Sequence, residues 1–252
     1  SHFIEHMMFK QTQSRTTKQI AMDIETIGGQ TNAFTGHEYT GYYIRVLKEN
    51  FSQAFEILSD ILQNGIFDEK DIEIERGNII EEIRMYEDSP SDLVWEHVQK
   101  NVFPTNSLGT PILGTEASVT SFKASDLKNY INSHYHSEDF LIVTVGDLEH
   151  TEIESNIEKY LTPKPEGENK YIPAEFSPVD EVNYYEKAES KQAHVVISYP
   201  GVKTSNEDLE NYEMLDVVLG DGFGSVLYDL LREKLGVAYY VGSSHTDYQD
   251  TG

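Results

Sequence analysis

The five residues His2-Phe3-Ile4-Glu5-His6 constrain this chain more than any other stretch. If the backbone between them is helical, two histidines four positions apart project from one face, one turn above each other. Two neutral imidazoles held that way are a ready pair of metal ligands. Glu5, three residues after His2, falls on nearly the same face and is left free to act as a base toward water activated by the metal. With nine histidines and 44 acidic residues in 252, five residues can also match by chance, so the rest of a site must be sought elsewhere in the chain.

A hydrolytic zinc site uses three protein ligands and keeps a fourth position open. The segment from Asp71 to Asp88, DIEIERGNIIEEIRMYED, has the apolar spacing of a helix, with Ile72, Ile79, Ile80 and Ile83 among its apolar positions. Glu75 and Glu82 lie seven positions apart, two helical turns, and share a face, whereas Glu81 points about 100° away from Glu82. Such a pair is also the ordinary pattern of a solvated acidic helix face.

Taken together, five segments resemble peptidase family M16, in the branch of mitochondrial processing peptidase and the small bacterial zinc proteases. They read SHFIEHMMFKQT (1–12), IGGQTNAFTGHEYTGYYIRV (27–46), ERGNIIEEIRMYEDSP (75–90), SLGTPILGTEASV (107–119) and LREKLGVAYY (231–240), in the order found in that family. His-x-x-Glu-His is the inverted zincin arrangement. The resemblance implies that His2, His6 and Glu82 hold one Zn2+ per chain, that Glu5 is the general base, and that Glu75 is a second catalytic carboxylate. It implies that Asn32, Ala33, Phe34 and Thr35 form an edge strand on which a peptide substrate adds as a further strand. It also implies that Arg232 and Tyr239 reach toward the substrate from a domain without zinc, and that two chains pair as a homodimer around a closed chamber.

The fold so implied is α+β, with two similar domains, each an antiparallel-rich sheet flanked by helices. The expected layout is a zinc-bearing domain over 1–165, a linker over 166–182 and the start of a second domain over 183–252. The chain begins one residue before the first expected ligand, so both domains are expected to be truncated relative to a longer parent. The activity implied is metalloendopeptidase action on extended, leader-like peptides. The alternative from another class is a scaffold or partner-recognition subunit of the same fold. A scaffold has no chemical reason to keep His2, Glu5, His6 and Glu82 together. A metal-storage module would require a fourth ligand, and none is evident in the sequence.

Composition is consistent with that function and narrows it. A net charge of −25 opposes nucleic-acid binding, because phosphate contacts need the opposite sign. It favours attraction of basic peptides instead, or simply serves solubility. Zero cysteines exclude a disulfide framework and a thiol nucleophile. No run of 18 or more apolar residues is present, so no membrane span is expected. Closer likeness to the bacterial members favours the bacterial cytoplasm over the mitochondrial matrix.

Periodicity predicts helices over Thr16–Ile27, Phe51–Asn64, Glu75–Glu87, Asp92–Val102, Ala124–Tyr135, Ile153–Leu161, Glu207–Leu219 and Ser225–Leu235. It predicts extended structure over Thr31–Leu47 and strands within Phe140–Val145, Asn183–Pro200 and Ala238–Ser244. Gly220-Asp-Gly-Phe-Gly224 lacks the phosphate-loop pattern and reads as a turn between helices.

Overall fold

Helix α1, His2–Met8, is short and would not persist alone. Tertiary packing holds it: Phe3, Ile4, Met7 and Met8 are all buried, on the face opposite its polar residues. The computed structural model describes residues 1–252 except 165–166, 168–170, 178–182, 184 and 187–189. Of the expected linker, 166, 168–170 and 178–182 therefore lie outside the described residues, as do 184 and 187–189 of the strand expected over Asn183–Pro200. Contacts divide the chain into one unit of Ser1–Asp88 with Pro111–Tyr171 and another of Ser89–Thr110 with Ile172–Gly252.

In the first unit, α1 is followed by β1 (Gln11–Thr12), α2 (Thr17–Thr26), β2 (Gln30–Thr35), β3 (Thr40–Arg45), α3 (Phe51–Asn64), β4 (Gly65–Ile66) and α4 (Glu69–Asp88). The two-residue ladder β1–β4, pairing Gln11 with Ile66 and Thr12 with Gly65, ties the end of α1 to the start of α4. That tie sets the two helices side by side, with Phe3, Ile4, Met7, Ile72, Ile79 and Ile83 in one core. Each fully buried aliphatic side chain there contributes about 1.5–3 kcal/mol.

A polar knot ties β1 and the loop after it to α3. Asp60, buried on α3, accepts from Thr12 Oγ1 at 2.7 Å, Ser14 Oγ at 2.7 Å, Arg15 Nη1 at 2.8 Å and Asn64 Nδ2 at 2.9 Å. Burial alone would raise its pKa, but these donors outweigh it and hold the carboxyl below its ordinary range. A buried carboxylate is tolerable only when satisfied in this way.

The hairpin β2–β3 pairs Gln30 with Arg45 through to Thr35 with Thr40. Exposure alternates along β2, so Thr31, Ala33 and Thr35 face inward while Asn32 and Phe34 face out. Among the described residues β2 pairs with β3 alone, leaving its other edge without a ladder partner. The unit is completed by α6 and two further helices, but α5 precedes them in the chain. Helix α5 (Pro90–Val102) belongs to the second unit, while α6 (Glu116–Ser121), α7 (Ala124–His134) and α8 (His150–Tyr160) belong to the first. Arg76 of α4 clamps α6 by donating to the carbonyls of Val119 and Phe122.

The second unit gathers Val102, Phe103, Leu108, Ala174 and Tyr248 into a small core, with Phe103 edge-on to both Phe176 and Tyr248. It also contains α9 (Leu209–Leu219) and a π-helical stretch, Tyr228–Lys234, where an α-helix is predicted. Gly222, at φ 88°, makes the turn between them.

The fold is α+β, with helices and small antiparallel sheets. Three predicted strands differ. Phe140–Val145, the described part of Asn183–Pro200 and Ala238–Ser244 form no ladder. Leu141, Val143, Val195, Ile197 and Tyr199 are each more than 70% exposed. A strand is stable only against a neighbour, and among the described residues none of these segments joins a ladder, so apolar alternation alone does not produce a sheet. Among the described residues no helix is long and apolar enough to cross a membrane.

Candidate metal centre

Three side chains from two helices converge. His2 Nε2 lies 3.7 Å, and His6 Nε2 3.5 Å, from the same Glu82 oxygen, Oε2. The two imidazole rings meet edge to face, 4.7 Å between centroids. Both nitrogen–oxygen distances exceed a hydrogen bond, so the donors face one point without bonding each other. Bonds of about 2.0–2.2 Å in tetrahedral geometry put neighbouring ligand atoms about 3.3 Å apart, close to the separations found. This is the one group of three or more His, Cys, Asp or Glu among the described residues with donor atoms close enough to share an ion.

Electrostatics prepare the same atoms. Burial, followed by the neighbouring His6, pushes the His2 pKa down to about 4, so its imidazole is neutral at pH 7. Its Nδ1 is buried without a hydrogen-bond partner. Leaving a buried nitrogen unpaired costs about 1–3 kcal/mol; the ring nitrogen on the Glu82 side is the other one, Nε2. The donor set, two neutral imidazoles and a carboxylate, fits zinc.

Glu75 stands behind His6. Its Oε2 lies 2.9 Å from His6 Nδ1 and can accept from it, while His6 Nε2 is the nitrogen that faces Glu82. Lys10 Nζ lies 2.5 Å from Oε1, and Asn78 Nδ2 donates to Oε1 at 3.1 Å. Burial raises the Glu75 pKa, but Lys10, His6 and Asn78 together hold it below the ordinary carboxylate range. Lys10 and Asn78 were not singled out from the sequence. Asn78 carried a signal, three residues after Glu75 on one helix, whereas Lys10 lies past the end of α1 and carried none.

Glu5 projects from α1 beside the two histidines and accepts a hydrogen bond from Thr35 Oγ1 at the end of β2. The expected edge residues Asn32, Ala33, Phe34 and Thr35 all lie on β2, which packs on α1. Asn32 Oδ1 accepts from the Ala33 amide at 3.0 Å, and Phe34 is 47% exposed.

Arg232 and Tyr239 come together within the second unit. The Arg232 guanidinium lies 4.7 Å from the Tyr239 ring centroid, and its Nη1 donates to the Tyr239 carbonyl at 3.1 Å. Tyr239 is 84% exposed.

A family model described as Insulinase (Peptidase family M16) matches residues 1–116, and one described as Peptidase M16 inactive domain matches residues 121–252. An uncharacterized zinc protease of Rickettsia felis is 38% identical over 254 residues, covering 100% of this chain and 61% of its own length. The uncharacterized zinc protease YmxG of Bacillus subtilis is 36% identical over 252 residues, with the same two shares of 100% and 61%. The solved structure of a protease from Helicobacter pylori superposes with a TM-score of 0.84 at 19% identity, over 99% of this chain and 62% of that one, a likeness of fold. The chain thus spans 61% of the length of these curated relatives.

Proposed function

The chain belongs to peptidase family M16, and on that premise we propose that it carries the active site of a zinc-dependent endopeptidase acting on extended peptides. The observation that carries this reading is the convergence of His2, His6 and Glu82, with Glu5 beside them on the same short helix. His2, His6 and Glu82 would hold one Zn2+, which would supply Lewis acidity, polarising a carbonyl and lowering the pKa of water toward neutrality. Glu5 takes a proton from the attacking water and delivers it to the leaving amine. Glu75 keeps His6 in the tautomer that offers Nε2. Asn32–Thr35 pair with substrate backbone along the unpartnered edge of β2, which makes few demands on side-chain identity.

In the proposed layout residues 1–165 carry the metal, 166–182 connect, and 183–252 begin the domain that supplies Arg232 and Tyr239. A guanidinium and a phenol can both hydrogen-bond a peptide carbonyl as negative charge develops on it. The scaffold reading lacks any reason for four intact groups at ligand spacing. The test is a cleavage assay of the full-length protein on quenched, extended basic peptides. Chelation should abolish cleavage, and stoichiometric zinc should restore it; cleavage indifferent to chelator would overturn the proposal.

The partner proposed is a second copy of the chain, so that Arg232 and Tyr239 of one subunit serve the His2–His6–Glu82 site of the other. Mixing two inactive variants, Glu5→Gln and Tyr239→Phe, then creates one hybrid site with every group, and part of the activity should return. Confirmed subunit exchange without recovery rules the shared site out.

A further inference from the structure

We propose that Thr35 is a positioning residue for the catalytic base, acting through its hydroxyl on the Glu5 carboxylate; this rests on the reading of Glu5 as general base. The two residues lie on different elements, Glu5 on α1 and Thr35 at the last position of β2, opposite Thr40 in the ladder. Thr35 Oγ1 donates to Glu5 Oε2. The pleat makes this contact specific: Thr35 belongs to the inward-facing set with Thr31 and Ala33, while Asn32 and Phe34 point outward. A hydrogen bond to a carboxylate is roughly twice as strong as one between neutral groups, and a glutamate side chain has much rotamer freedom to lose. The hydroxyl therefore fixes one carboxylate oxygen and leaves Oε1 to receive the proton.

The placement has a second meaning. The strand that pairs with substrate backbone ends in the residue that aims the base, so docking and proton transfer share one rigid element. A backbone pairing on β2 needs only the amides and carbonyls of Asn32–Thr35. Its side-chain hydroxyl at Thr35 is consequently free of that duty and committed to Glu5.

The experiment compares Thr35→Val and Thr35→Ser in the full-length protein, measuring kcat, KM and zinc dissociation constant separately. Valine keeps the shape and β-branching a strand favours, and serine keeps the hydroxyl. For Thr35→Val, kcat should fall about tenfold to a hundredfold, the size expected from a misaligned reacting group, with KM and zinc affinity unchanged. Thr35→Ser should stay close to the parent. Two results would each overturn the inference: parental kcat in Thr35→Val, whether or not KM rises, or Thr35→Ser as impaired as Thr35→Val. A Glu5→Gln variant that cleaves at the parental rate would overturn the underlying reading instead, and zinc-affinity data would be unaffected by either failure.

Discussion

Glu5→Gln is expected to lower kcat by about a hundredfold to ten-thousandfold while the protein keeps its full complement of zinc. The amide has the shape of the carboxylate and can still accept from Thr35 Oγ1 through its oxygen. It cannot take a proton from water. Because His2, His6 and Glu82 are untouched, metal content measured on the same samples should match the parent. Peptide cleavage at the parental rate would show that the base is another group.

His6→Ala is expected to reduce zinc from about one ion per full-length chain to near none, since a site of three protein ligands does not survive on two. Glu75→Gln should be milder. It removes the charge that holds His6 Nδ1 at 2.9 Å and should weaken zinc about tenfold to a hundredfold, the usual cost of losing an orienting partner. Chelator-competition titration separates the two outcomes. Stoichiometric zinc in His6→Ala would sink the ligand assignment, and unchanged affinity in Glu75→Gln would sink the orienting role.

Local periodicity made only the shared helix faces legible; that these residues belong to one site came from the family resemblance. His2, Glu5 and His6 on one helix, and Glu75 and Glu82 on another, need only the helical repeat to share faces. That the two faces meet depends on the ladder of Gln11 and Thr12 with Ile66 and Gly65, far apart in the chain, which no local pattern announces. The same reason hides Lys10, whose reach to Glu75 runs from just past the end of α1 to the body of α4. The extended character of Thr31–Leu47 was legible from its β-branched and aromatic residues, but the turn after Thr35 that folds it into the β2–β3 hairpin was not. Leu141, Val143 and Ile197 show the limit: alternation marks a segment that could be a strand, but a ladder is a property of two segments.

Helix α1 gives its outer residues to the candidate site and its inner ones, Phe3, Ile4, Met7 and Met8, to the core of the first unit. For a chain that binds its ion as proposed, ligand occupancy and conformational lifetime then become one thermodynamic variable. A ligand that binds only the native state adds about 4 kcal/mol at a thousandfold excess over its dissociation constant, against a total domain stability of about 5–15 kcal/mol. Metal scarcity would thus act on how long the molecule lasts as well as on how fast it works.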